Sequence, residues 1–236
     1  MTTHVLTEQL GDTLHITLNR PDKRNAIDMP MFSRLAAELA EAEREPLVGA
    51  VLLSGAGESF CAGHDLRAFS SWPQQPDGPV PAFLHALAAL RKPLVAAVHG
   101  HAVGIGATLL LHADWVISTP DAQLLLPFVD MEIAPEAASS LLLAQAIGLV
   151  RAKRAMLSGA AFSGQQAYDW GMVTELCDRE TLLATAREKA EYLATKSGSA
   201  YARIKWLLMS PYDVHRRIDE EVDAINFAVL KQRGVS

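Results

Sequence analysis

Lys92-Pro93-Leu94-Val95-Ala96-Ala97-Val98-His99-Gly100-His101-Ala102-Val103-Gly104-Ile105-Gly106 is an apolar run that passes into a glycine-punctuated turn. Leu94–Val98 lies between a proline and a histidine-glycine pair and carries no charge, which reads as a buried strand. Ala107–Ala113 beyond the turn reads as an almost wholly apolar, buried helix. The same plan occurs once upstream. Val48–Leu53 runs through Ser54-Gly55-Ala56-Gly57-Glu58 into Phe60-Cys61-Ala62-Gly63-His64-Asp65-Leu66. A helix start leaves backbone N–H groups unpaired and at positive potential. Two such starts aimed at one point make an oxyanion hole. Each turn alone is also an ordinary place for a glycine at positive φ. Gly104-Ile105-Gly106 lacks the third glycine of a dinucleotide fingerprint.

Outward from these units, His4–Gln9 and Leu14–Leu18 flank Gly11-Asp12 and predict a hairpin. Pro30 opens a helix with Met31, Leu35, Leu39 and Ala42 on one face. Residues 70–81 have no periodicity and predict a mobile loop before a helix at Ala82–Arg91. Trp115–Ser118 and Gln123–Leu126 read as short strands. From Pro135 onward helices dominate: Ala137–Ile147, Val150–Leu157, Gly164–Trp170, Arg179–Thr195, Ala200–Leu208 and Pro211–Leu230, with a strand at Met172–Leu176. The fold class is α/β. Residues 1–190 form a mixed β/α core and residues 191–236 a helical C-terminal region. Its last helices need apolar partners, on this chain or on a neighbouring subunit.

Half of the 236 residues are hydrophobic and a fifth are charged, which excludes global disorder. The net charge of −6 argues against a basic nucleic-acid face, so any bound polyanion needs a local patch. Arg20, Lys23 and Arg24 in one polar loop are such a patch. Cys61 and Cys177 are too few for a disulfide framework and favour a cytoplasmic setting. Met1–Asp12 has no apolar signal region, Gly234-Val235-Ser236 is no sorting tag, and no apolar run has membrane-spanning length. No metal site is expected. His99 and His101 alternate across a turn, and His112 on the apolar helix reads as a hydrogen-bonded core residue.

Taken in order, several segments resemble the crotonase (enoyl-CoA hydratase/isomerase) superfamily. They are Asn19-Arg20-Pro21-Asp22-Lys23-Arg24-Asn25-Ala26, the turn at Phe60–Leu66, Lys92–Gly100 and Gly104-Ile105-Gly106. The likeness continues through Phe162-Ser163-Gly164-Gln165-Gln166-Ala167 and Trp170-Gly171-Met172-Val173. The resemblance implies a spiral of ββα units with a helical C-terminal domain, assembled as a homotrimer or homohexamer. It implies an acyl-CoA thioester substrate, with coenzyme A entering only as part of that substrate, and an enolate held at the thioester oxygen. The implied oxyanion donors are the N–H groups of His64 and Ile105. The implied substrate-binding residues are Arg24, Ala26, Ala62, Gly63, Asp65, Leu66 and Gly104. Asp65 also reads as a helix cap. Arg20, Lys23 and Arg24 would face the CoA phosphates, and Lys205 would approach CoA from its own or a neighbouring subunit.

Family hydratases use two glutamates around a water. Those positions are Thr108 and Phe128 here, and neither residue is an acid or base. Ile133-Ala134-Pro135-Glu136-Ala137-Ala138-Ser139-Ser140 is instead similar to the branch that converts 3-enoyl-CoA to 2-enoyl-CoA, which implies Glu136 as a single shuttling base. Without that likeness, Glu136 reads as a first-turn helix glutamate after Pro135. Asp130 and Glu132 are rival carboxylates on the same connection. Another crotonase-type reaction (lyase, hydratase or hydrolase) and a non-catalytic CoA-binding role are the alternatives.

Overall fold

Gly11, at φ +56°, turns the first hairpin. In the computed structural model β1 (Val5–Leu10) pairs antiparallel with β2 (Thr13–Leu18), Val5 opposite Leu18. The structure describes residues 4–234. Residues 1–3 and 235–236, read above for sorting signals, lie outside the described residues. Asp28 caps α1 (Met29–Arg44) by accepting the Met31 N–H at 3.0 Å, and α1 buries the stripe Met31, Phe32, Leu35, Leu39 and Ala42. β3 (Ala50–Gly55) and β4 (Leu94–Val98) are the two apolar runs. They lie side by side and parallel, buried on both faces, as continuous apolar strands require.

The main sheet has six strands in the order β1-β2-β3-β4-β6-β9, with β6 at Trp115–Ser118 and β9 at Glu175–Leu176. Every pairing beyond the first hairpin is parallel. α2 (Pro79–Ala89) crosses over between β3 and β4 and packs on α1. A second sheet joins β5 (His101–Val103), β7 (Gln123–Leu125) and β8 (Phe162–Ser163). The glycine turn before Gly104 thus contains a strand that the sequence pattern does not predict. α3 (Ile105–Thr108) continues as a tight 3-10 turn over Leu109–His112.

The helical part comprises α4 (Ser139–Ile147), α5 (Leu149–Ser158), α6 (Gly164–Trp170), α7 (Leu182–Ala194), α8 (Ser199–Met209) and α9 (Pro211–Gln232). α7 covers one face of the main sheet, burying Leu182, Ala186 and Ala190 against Ala50, Leu52, Val95 and Ile117. α9 returns to α2 and α4 and sends Val214, Ile218, Val222, Ile225 and Val229 into the main core.

Three expectations change. The 70–81 segment is anchored: Trp72 is buried, and Gln74 exchanges two hydrogen bonds with Asn226 of α9, at 2.7 and 3.0 Å. The helix after Pro135 begins at Ser139, because Ala137 and Ala138 stand at φ +62° and +53°. The strand at Met172–Leu176 shrinks to Glu175–Leu176, since the Met172 and Val173 N–H groups instead turn back to Ala167 O.

Candidate active site

The two glycine turns are stitched together by backbone. Cys61 N–H donates to His101 O at 2.9 Å, and Val103 N–H to Cys61 O at 2.9 Å. On its other side the first turn pairs with residues 24–27: Ala62 N–H donates to Arg24 O, Ile27 N–H to Gly63 O, and Asp65 N–H to Ile27 O, each at 2.8 Å. Because Ile27 uses Gly63 and Asp65, the intervening His64 turns its own N–H the opposite way. Gly63 sits at φ +94°, and a Cβ there would lie 2.7 Å from Val103 O. Gly106 is pressed onto Cys61 in the same manner. Only glycine permits this approach of two backbones. Gly104 (φ +50°) turns the chain so that Ile105 opens α3, where its N–H has no acceptor one turn back.

A cavity of about 250 Å³ opens where the turns meet. Ala62, Gly63, His64 and Leu66 line it from the first turn, and Val103, Gly104 and Ile105 from the second. Phe32, Trp72, Phe128, Ile133 and Ile225 close it with apolar surface. The His64 ring packs 5.0 Å from Phe32 and 6.1 Å from Trp72, and burial pushes its pKa down to about 4, so it stays neutral at pH 7.

Glu136 is the one carboxylate among the described residues lining the cavity. Burial raises its pKa to about 8, and the charge of Glu221 acts in the same direction. The Thr108 hydroxyl opposes them, lying 2.9 and 3.0 Å from the two carboxyl oxygens and 3.3 Å from Gly104 O. One hydroxyl has one proton, so it serves one of these acceptors at a time. Sequence reasoning treats Thr108 only as a missing glutamate. No local pattern marks it as the partner of a residue on a distant connection. Glu136 is also outside any helix, which removes the first-turn reading: the left-handed pair Ala137-Ala138 separates it from α4. His112 Nε2 donates to Ala137 O at 2.8 Å, the core hydrogen bond expected of that histidine.

The remaining candidates lie as follows. Arg24, Ala26 and Asp65 belong to the stitched segments beside the cavity, and none of them lines it. Asp65 accepts from Arg67 N–H at 3.1 Å and from Arg20 Nη2 at 3.0 Å, which is the behaviour of a cap. Arg20 is largely buried, pairs with Asp28 at 3.3 Å and Asp65 at 3.0 Å, and donates to Ala26 O. The expectation that Arg20 faces phosphate is therefore corrected, because acids of its own chain occupy it. Lys23 and Arg24 are exposed. Lys205 is buried, 2.5 Å from Asp114, and donates to Lys92 O, so it is corrected to a structural ion pair. Asp130 and Glu132 are exposed and do not line the cavity. His99 bonds Gly57 O at 2.9 Å. Among the described residues no group of His, Cys, Asp and Glu is placed to hold a metal ion, and no helix is long and apolar enough to cross a membrane.

Residues 10–233 match the family model described as enoyl-CoA hydratase/isomerase. The chain belongs to the enoyl-CoA hydratase/isomerase family. It is similar to 1,2-epoxyphenylacetyl-CoA isomerase of Escherichia coli, 36% identical over 83% of this chain and 78% of that one. It is similar to carnitinyl-CoA dehydratase of Proteus mirabilis, 30% identical over 94% of this chain and 85% of that one. The solved structure of OdaA from Pseudomonas aeruginosa superposes with a TM-score of 0.91 at 37% identity, covering 97% of this chain and 94% of that one. The α/β architecture is thus the crotonase fold of this family, and the family works on acyl-CoA by hydratase and isomerase chemistry.

Proposed function

We propose that the protein is an acyl-CoA isomerase that moves the double bond of a 3-enoyl-CoA to the 2-position, with Glu136 as its single base. The observation that supports this is one half-buried carboxyl in an apolar cavity that His64 and Ile105 also line. The thioester oxygen accepts from the His64 and Ile105 N–H groups, which acidifies C2. Glu136 removes a C2 proton, and the electron pair delocalises through C2, C3 and C4 onto the oxygen. The Glu136 carboxyl then returns the proton to C4, leaving the double bond between C2 and C3 and the base restored. Lys23 and Arg24 meet the CoA phosphates, and coenzyme A enters only as part of the substrate. Ala62, Gly63, Leu66 and Gly104 shape the backbone walls on which the acyl thioester rests, and Ala26 and Asp65 steady them from behind through Arg20. Water addition is not served, because Thr108 and Phe128 stand where a second acid and base would be needed, and such groups contribute about 10²–10⁴-fold each.

A second reading follows from the epoxyphenylacetyl-CoA isomerase relative and from the aromatic lining of Phe32, Trp72 and Phe128. A carboxyl with a pKa of about 8 is mostly protonated at neutral pH and suits protonation of an epoxide oxygen. One assay separates the two. Purified protein is given 3-enoyl-CoA, an aryl epoxide acyl-CoA and crotonyl-CoA, each with the Glu136→Gln variant and an Asp130→Asn, Glu132→Gln double variant. The expected result is turnover of 3-enoyl-CoA, a fall of about 10²-fold or more in Glu136→Gln with little change in acyl-CoA binding, and a double variant within about tenfold of the parent. Full activity in Glu136→Gln overturns the assignment. CoA binding without turnover of any substrate favours the non-catalytic role. For assembly, we infer a homotrimer or homohexamer that covers the exposed Ile204, Leu207 and Leu208 of α8. A stable monomer by light scattering at micromolar concentration overturns that.

A further inference from the structure

α4 has no cap of its own. Its N-cap position is Ala138, whose side chain cannot accept a hydrogen bond. The acceptor comes from α9: Glu221 Oε1 takes the Ser140 N–H at 3.0 Å. Glu221 is buried, and among the described residues its other oxygen has no hydrogen-bond partner. Arg217, one helical turn earlier, reaches Ser140 Oγ with Nη1 at 3.3 Å. Immediately before this capped end lie Ala137 and Ala138, two alanines held at positive φ, and immediately before them lies Glu136. His112 holds the other side of the same turn through Ala137 O.

We propose that Glu221 is a positioning residue for Glu136: from α9 it caps α4 and fixes the left-handed Ala137-Ala138 turn that aims the base into the cavity. The proposal rests on the assignment of Glu136 as the base. An alanine pair in the left-handed region that favours glycine persists only when its surroundings over-determine it. Here the over-determination is a carboxylate at a helix N-terminus, favoured by both the hydrogen bond and the helix dipole. The same carboxylate adds an electrostatic influence. Among the described residues, the ionisable groups facing this region are the Cys61 thiol and the neutral His64 ring from the first turn, His112 from the turn after α3, and Glu221 and Arg217 from α9. Burial pushes Cys61 up to about 12 and His112 down to about 4, so both are uncharged near neutral pH. Burial raises the Glu221 pKa, against the opposing pull of the Ser140 hydrogen bonds and the Arg217 guanidinium, and charge on Glu221 makes Glu136 harder to ionise.

The test compares Glu221→Gln and Glu221→Ala with the parent by kinetics across pH and by carbon-13 titration of the labelled Glu136 carboxyl. Glu221→Gln keeps an acceptor for Ser140 N–H but removes the charge. The Glu136 titration midpoint, and with it the pH midpoint of kcat/KM, is expected to fall by about half a pH unit or more, with kcat at the plateau within about threefold. Glu221→Ala removes the cap, and plateau kcat is expected to fall about tenfold or more while KM stays within about threefold. An unmoved midpoint in Glu221→Gln, or an unchanged kcat in Glu221→Ala, overturns the proposal. The titration reads Glu136 directly, so it judges the Glu221 proposal even if Glu136→Gln proves active and the assignment of the base fails.

Discussion

Replacing Glu136 with Gln is expected to stabilise the protein, and increasingly so as the pH rises. The Glu136 carboxyl has a pKa of about 8 in the folded chain against an ordinary 4.5. A raised pKa means that the folded state holds a proton which the unfolded state has already released. Its favourable contribution is complete below 4.5 and is lost progressively as the pH climbs through about 8. At about 1.4 kcal/mol per pH unit the full interval corresponds to about 5 kcal/mol. Glu136 borders an open cavity, so solvent relieves part of that, and about 2–3 kcal/mol is the working figure. Gln has no proton to lose and still accepts from Thr108. For a chain of this size about 2–4 °C in Tm accompanies each kcal/mol. Thermal melts of parent and variant at pH 5, 7 and 9 should therefore nearly coincide at pH 5 and separate by about 5–10 °C at pH 9, with the variant higher. Parallel curves, with the same difference at all three pH values, would refute the claim that this carboxyl is costly to ionise.

Two further outcomes follow from the site. Thr108→Val removes the hydroxyl that eases ionisation of Glu136, so the midpoint of the kcat/KM profile should move to higher pH, opposite to Glu221→Gln; at pH 7 kcat/KM should drop about three- to tenfold and recover in part at pH 9. Lys23→Ala with Arg24→Ala should raise KM for the CoA thioester severalfold at low ionic strength, with the gap closing at about 1 M salt and kcat unchanged, as steady-state kinetics in a salt series will show.

The central strands were legible because burial on both faces leaves a continuous apolar signature, as in Leu94–Val98. Their neighbours in the sheet were not, since strand order depends on contacts far apart in sequence. The family likeness singled out Glu136 by its flanking residues. It did not give the conformation there. Alanine is the best helix former, so Ala137 and Ala138 read as helix, and only the clamps from His112 and Glu221 reveal the left-handed turn. Arg20 shows the same limit for charge. Its sign was readable, but Asp28 and Asp65, which consume it, became its neighbours only through folding. Thr108 was readable as a lost glutamate and not as a gained hydrogen bond, because the contact spans α3 and the loop before α4.

The opposed influences on Glu136 bear on why one residue can complete the proposed reaction. The base must first take a proton from C2 and then give the same proton to C4. An ordinary carboxylate, ionised at pH 7 and well solvated, would be a weak base toward carbon. A far more basic group would take the proton and hold it. A pKa near 8 lies between these cases and close to neutral pH, where acid and base efficiency are jointly greatest. The apolar lining and Glu221 push the carboxyl upward, and the Thr108 hydroxyl limits the rise. A bound acyl chain displaces water from the same cavity and removes what solvation remains, so ionisation becomes harder as the substrate arrives. The thioester oxygen, held by two amides, is then the better place for negative charge. In this arrangement the proton leaves carbon because the enolate is favoured as much as because the base is strong. A variant that lowers the pKa of Glu136 should therefore gain ionised enzyme at low pH while its plateau rate at high pH falls only modestly, within the roughly threefold expected of Glu221→Gln.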